Sequence, residues 1–148
     1  MTDPLAETKV HISTVRTYLR YVAGLLQIRG ELHDASKLQE PEAAGYAEMP
    51  RAFQGKPYGT PEYMAVIEMF RPVVEHHYAN NSHHPEHWPN GVSDMSLLDV
   101  IEMLCDWYVA SKRKGADFEE SIQKSVERFG IDPQLASILK NTAKELVF

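Results

Sequence analysis

Apolar residues in this chain recur at three- and four-residue steps and nowhere alternate, a pattern that fits helices and gives no support to a half-buried sheet. Ile12, Val15, Leu19, Val22 and Leu26 mark the first stripe and predict a buried face on a helix from about Pro4 to Ile28, with Gly30 as its stop. A short second helix is expected over Glu31 to Leu38, ending near Pro41. Residues 45–61, GYAEMPRAFQGKPYGTP, hold three glycines and three prolines and predict a loop or lid. Thr60 is placed to cap a helix beginning at Pro61, on which Val66, Phe70, Val73 and His77 share a face. Pro72 should kink that helix or start a new one.

Residues 80–91, NNSHHPEHWPNG, are too rich in asparagine and proline for a regular element. Ser96 or Ser93 can cap the next helix, which runs to about Lys114 and stops at Gly115. Its expected core stripe is Leu97, Val100, Ile101, Leu104 and Tyr108. Two last helices, about Phe118–Phe129 and Pro133–Leu146, close the chain around the turn Gly130-Ile131-Asp132-Pro133. The expected fold is all-α, a bundle of about five to seven helices in a single domain spanning residues 1–148.

Composition narrows the function classes. With 15 basic against 21 acidic residues the formal charge is −6, which argues against a general nucleic-acid or membrane surface. A small phosphorylated substrate held through a metal stays compatible with that charge. Cys105 is the single cysteine, so no internal disulfide or multi-cysteine zinc site can form, and a reducing cytoplasm is the expected location. Cys105 itself is expected to be a buried, inert thiol. No signal-peptide pattern or long apolar run is present, and a homo-oligomer is compatible with the composition.

Histidine is the outlying residue type: five of the seven lie between positions 76 and 87. His33-Asp34, followed by Ser36 and Lys37, joins an imidazole to a carboxylate, a mixed donor pair suited to a divalent transition metal. Two neighbours cannot enclose an ion, so other helices must contribute. His11, in line with Val15, Tyr18 and Val22, can face the interior. Asp106 follows Asp99 and Glu102 at helical steps, which puts three carboxylates on one side of a helix. His77 lies on the apolar face of its helix and is preferred to His76 as an inward residue. His83 and His84, in a proline-bounded loop, are candidates for a second metal or for substrate, with Glu86 to orient an imidazole or act as general base. Tyr78, Trp88 and Trp107 are expected to cover the core.

The order His11…His33-Asp34…Asp106 resembles that of the HD-domain metal-dependent phosphohydrolases, and His33-Asp34-Ala35-Ser36-Lys37 is similar to their HD-x-x-K form. The segment from His83 to Gly91 loosely resembles an element of the cyclic-dinucleotide phosphodiesterases, but without the Gly-Tyr-Pro that follows there. The combination HHYxNNxHHPEHW with a later EMxxDW resembles more closely a small uncharacterised family of phage and bacterial proteins placed near the HD group, over about residues 9–112. The resemblance implies an HD-like helical bundle with His11, His33, Asp34 and Asp106 as ligands of a divalent metal (Mn, Fe, Co, Ni or Zn). His77, His83 and His84 are expected beside it, one or two ions being compatible with the donors, and Lys37 is expected to neutralise substrate charge.

The function these expectations describe is hydrolysis of a nucleotide or another small phosphate ester. The alternative is a non-catalytic helical module that keeps a metal for structure and binds a partner. An HNH-type nuclease would need a β-hairpin where residues 60–79 read as helix.

Overall fold

Local capping chemistry sets most of the helix ends. Thr60 Oγ1 accepts the Tyr63 amide at 3.2 Å and opens a helix with Pro61 in its first turn. Ser96 and Asp99 form a reciprocal capping box, and Asp117 and Asp132 accept amides at the starts of the last two helices. Gly115 and Gly130 end helices in the left-handed conformation, at φ 63° and 61°.

The computed structural model describes residues 4–146, in which the helices are α1 (Ala6–Leu32), α2 (Glu42–Phe53), α3 (Pro61–Asn80), α4 (Leu97–Lys114), α5 (Phe118–Phe129) and α6 (Pro133–Leu146). Short 3₁₀ turns cover Ala35–Leu38, Pro85–His87 and Gly91–Asp94. The fold is all-α, with no strand among the described residues. No helix of the described chain is long and apolar enough to cross a membrane.

The chain divides after His33 into two compact units. The first is α1, which continues through Gly24 and Gly30 to Leu32. The buried stripe expected on it is not found: no residue of α1 is buried, and Ile12, Val15 and Leu19 are 51%, 43% and 65% exposed. A lone helix has nothing of its own to cover an apolar face.

The second unit holds α2–α6. Val100, Met103 and Leu104 of α4 pack with Ile122 of α5 and with Ile131, Ala136, Leu139 and Ala143 around α6. Each of the fully buried Met, Leu and Ile side chains among them contributes roughly 1.5–3 kcal/mol, so this cluster is the main apolar anchor of the unit. Trp107 packs against it, its ring parallel to Phe129 with centroids 6.1 Å apart. Leu97, expected in the core stripe, is 75% exposed at the first position of α4. Cys105 is exposed, not buried.

α2 and α3 run antiparallel, with Glu42 beside His77, Gly45 beside Val73, and Phe53 beside Tyr63. Gly45 permits the close approach, since a Cβ there would stand 2.6 Å from Val73 Cγ2. The loop or lid expected over residues 45–61 is therefore largely helix, and only 54–60 are irregular. α2 passes through Pro50 and α3 through Pro72 without ending. Both prolines are exposed, where a carbonyl that loses its helical donor can be solvated.

Candidate metal centre

The segment after α1 turns sharply. In place of the expected helix over Glu31 to Leu38, α1 stops at Leu32 and Asp34 takes φ 56°, the only described non-glycine residue with positive φ. A left-handed Asp costs about 1 kcal/mol, held here by the 3₁₀ turn in which Lys37 N donates to Asp34 O at 2.9 Å. The Lys37 ammonium also donates to Asp34 Oδ2 at 2.6 Å. The other carboxylate oxygen, Oδ1, faces His77 Nε2 at 3.3 Å and His83 Nε2 at 3.6 Å.

The last turns of α3 and the first turn of α2 position His77. Glu42 is fully buried, and its Oε2 lies 2.9 Å from His77 Nδ1 while its Oε1 lies 2.7 Å from His76 Nδ1. Ser36 Oγ donates to the same Oε2 at 3.0 Å, and Asn81 Nδ2 donates to Ser36 Oγ at 2.8 Å. Burial alone would push the Glu42 carboxyl upward, but the hydrogen bonds from His76, His77 and Ser36 outweigh it and hold the group below its usual value. An ionised Glu42 accepts, so His77 carries its proton on Nδ1 and turns the lone pair of Nε2 toward Asp34.

His83 repeats the arrangement from the other side. It is 2% exposed, with Nδ1 at 3.1 Å from Glu102 Oε1 on α4 and Nε2 directed at Asp34. His84 Nε2 lies 2.9 Å from His77 Nε2. Burial pushes the His84 imidazole down to about 3, with His83 and His77 acting in the same direction, so the ring is neutral at pH 7.

Asp34, His77, His83 and His84 thus bring four ligand atoms within 4.8 Å of one another, and the group can hold a metal ion. Ligands about 2.1 Å from a tetrahedral ion stand roughly 3.4 Å apart, and the contacts of 2.9–3.6 Å are close to that spacing. Three imidazoles and one carboxylate form a donor set that divalent transition metals favour over magnesium or calcium. Two of the imidazoles have their far nitrogen anchored to a carboxylate, the arrangement that orients metal-binding histidines.

The structure distributes the sequence-predicted residues unequally. Asp34, His77, His83 and His84 meet, and Lys37 touches Asp34. His11, expected to face the interior, is exposed on α1, and His33 is the C-cap of the same helix. Twenty-two helical steps separate them, roughly 33 Å at 1.5 Å each, so these two imidazoles of one chain cannot share an ion. Asp106 is outside the group of four and lines a neighbouring cavity with His84 and Glu86. Glu86 Oε1 accepts from Arg128 Nη2 at 2.7 Å, an ion pair not anticipated for a general base. His87 Nδ1 lies 2.8 Å from Tyr78 O, and Trp88 Nε1 donates to Ser82 O, so both tie down the loop.

Glu42 is the residue that sequence reasoning missed. It sits 35 positions from His77 with no motif around it. Glu102 was visible only as one of three carboxylates on a helix face, of which Asp106 was the one singled out as a ligand.

A family model matches residues 2–145. Comparison with curated proteins and with solved structures returns no match. The matched span covers nearly the whole chain, and the protein belongs to the family of unknown function DUF5662.

Proposed function

We propose that this chain is a divalent-metal-dependent phosphohydrolase acting on a nucleotide or another small phosphate ester, with Asp34, His77, His83 and His84 as the metal ligands. The observation that carries the reading is the pair of anchored imidazoles, Glu42–His77 and Glu102–His83, aimed at one carboxylate oxygen. When bound, a divalent ion would supply Lewis acidity toward a phosphoryl oxygen and would let a water give up a proton near neutral pH and so serve as the nucleophile. Neutral imidazoles cancel none of the ion's charge and Asp34 cancels one unit, so the centre keeps a net positive field for an anionic substrate. Lys37, ion-paired with Asp34, adds a cation beside the reacting group. The HD-x-x-K segment supplies Asp34 and Lys37 in this reading, and kinship with the HD-domain group rests on that segment, not on His11 and Asp106. The lone Cys105 fits a cytoplasmic enzyme.

One observation favours a second reading, a metal-containing binding module: four protein donors are enough to fill a tetrahedral ion and close it to substrate. Elemental analysis of purified protein, with a screen of phosphate esters under Mn²⁺, Co²⁺, Ni²⁺, Fe²⁺ or Zn²⁺, separates the two. Bound transition metal with turnover supports the enzyme. Bound metal without turnover on any ester supports the module, and no metal uptake defeats both.

A further inference from the structure

A cavity of about 360 Å³ lies between α4 and α5 and reaches His84, one of the four candidate ligands. Its volume is in the range of small-ligand sites. Trp107 and Phe129 supply an apolar part of the lining, their rings parallel, while Lys114, Lys124 and Arg128 bring three cations to the same space. Two carboxylates, Glu86 and Asp106, also line it. An excess of cations is unexpected on a chain in which acids outnumber bases 21 to 15.

The cations differ in how they are held. Arg128 is fixed by Glu86 at 2.7 Å and by the face of Phe129, 4.7 Å from its guanidinium carbon. Lys124 is exposed and only loosely paired with Glu120 at 3.8 Å, so its ammonium is available to a ligand. Lys114 follows Asp106 by two helical turns, about 12 Å along α4. The lining therefore extends along α4 well beyond the Asp106 level, to a pair of lysines from two helices.

We propose that this cavity seats the substrate, and that Lys114 and Lys124 hold a second anionic group while the reacting phosphate lies at the His84 end. The substrate class is then a small organic ester with two separated anionic groups, such as a bisphosphate carrying its phosphates on different atoms of the organic part, whose apolar part lies on Trp107 and Phe129. Arg128, already paired, shapes the wall between the two ends. This inference rests on the metal reading for the reacting end, whereas the lysine end can be tested without metal.

The probe is inorganic pyrophosphate, titrated by calorimetry into the full chain after chelator treatment and desalting. The wild type should bind it, and Lys114→Glu with Lys124→Glu should weaken binding at least about tenfold. Lys140→Glu, outside this cavity, should leave it unchanged. Mn²⁺ affinity of the double variant should stay within about twofold of wild type, because neither lysine belongs to the ligand group. No saturation by about 10 mM pyrophosphate, or equal binding by the double variant, overturns the proposal. A wild type that binds pyrophosphate through these lysines but takes up no Mn²⁺ supports the anion seat and defeats the metal centre.

Discussion

Glu42 Oε2 and His77 Nδ1 lie 2.9 Å apart, both side chains almost wholly buried, and this contact joins the first turn of α2 to the last turn of α3. It decides which nitrogen of His77 carries the proton and which faces Asp34. Glu42→Gln keeps the size of the side chain but removes the charge that fixes the tautomer. Mn²⁺ or Zn²⁺ affinity measured by calorimetry should fall about 10- to 100-fold. An unchanged affinity would show that Glu42 plays no part in orienting the ring.

Asp34 combines a ligand role with an uncommon backbone conformation, and two substitutions separate them. Asp34→Asn tolerates φ 56° but loses the negative charge, so metal uptake and phosphate release should both be lost with the helical circular dichroism intact. Asp34→Gly relieves a cost of about 1 kcal/mol, so the metal-free variant should melt no lower than the wild type. A large fall in melting temperature for Asp34→Gly would mean that the carboxylate stabilises the fold by more than its backbone costs.

Lys37 contacts the oxygen of Asp34 turned away from His77 and His83. Lys37→Ala should keep metal occupancy, as read by elemental analysis, while kcat on a responsive phosphate ester drops about 10²-fold. Loss of metal together with turnover would make Lys37 a support for Asp34 and not a contact to substrate.

His11 and His77 make a discriminating pair. His77→Ala should abolish metal binding, whereas His11→Ala should leave it within about twofold, because His11 lies some 22 helical steps, roughly 33 Å, from the His33 that precedes Asp34. A tenfold or greater loss in His11→Ala would restore the quartet implied by the HD resemblance.

Gly45 sets the distance between α2 and α3. A Cβ at this position would meet Val73 Cγ2 at 2.6 Å, a branched side chain with little room to move. Gly45→Ala should cost about 1–3 kcal/mol in chemical denaturation. Adding Val73→Ala should recover part of that loss, and full additivity of the two losses would rule out the contact as its source.

The sequence by itself determined what depends on neighbouring residues. Thr60, Ser96, Asp117 and Asp132 mark helix starts, Gly115 and Gly130 mark stops, and each acts within a turn of its own position. The limits of α3 through α6 and the all-α class follow from such short-range chemistry. The histidine-rich segment also announced itself, since His77, His83 and His84 lie within eight residues. The tertiary structure alone decided which carboxylates meet those rings. Glu42 and Glu102 reach His77 and His83 only because α2 docks against α3 at Gly45 and α4 follows the loop that carries His83. Pro50 and Pro72, strong local breakers, did not end α2 and α3, and both prolines lie at exposed positions. For His11 the helical periodicity was right and its consequence was not: a continuous α1 carries that residue far from His33 instead of folding it back. A motif records the order of chemical groups along the chain, while a ligand set is defined by distances in space, and only packing converts one into the other.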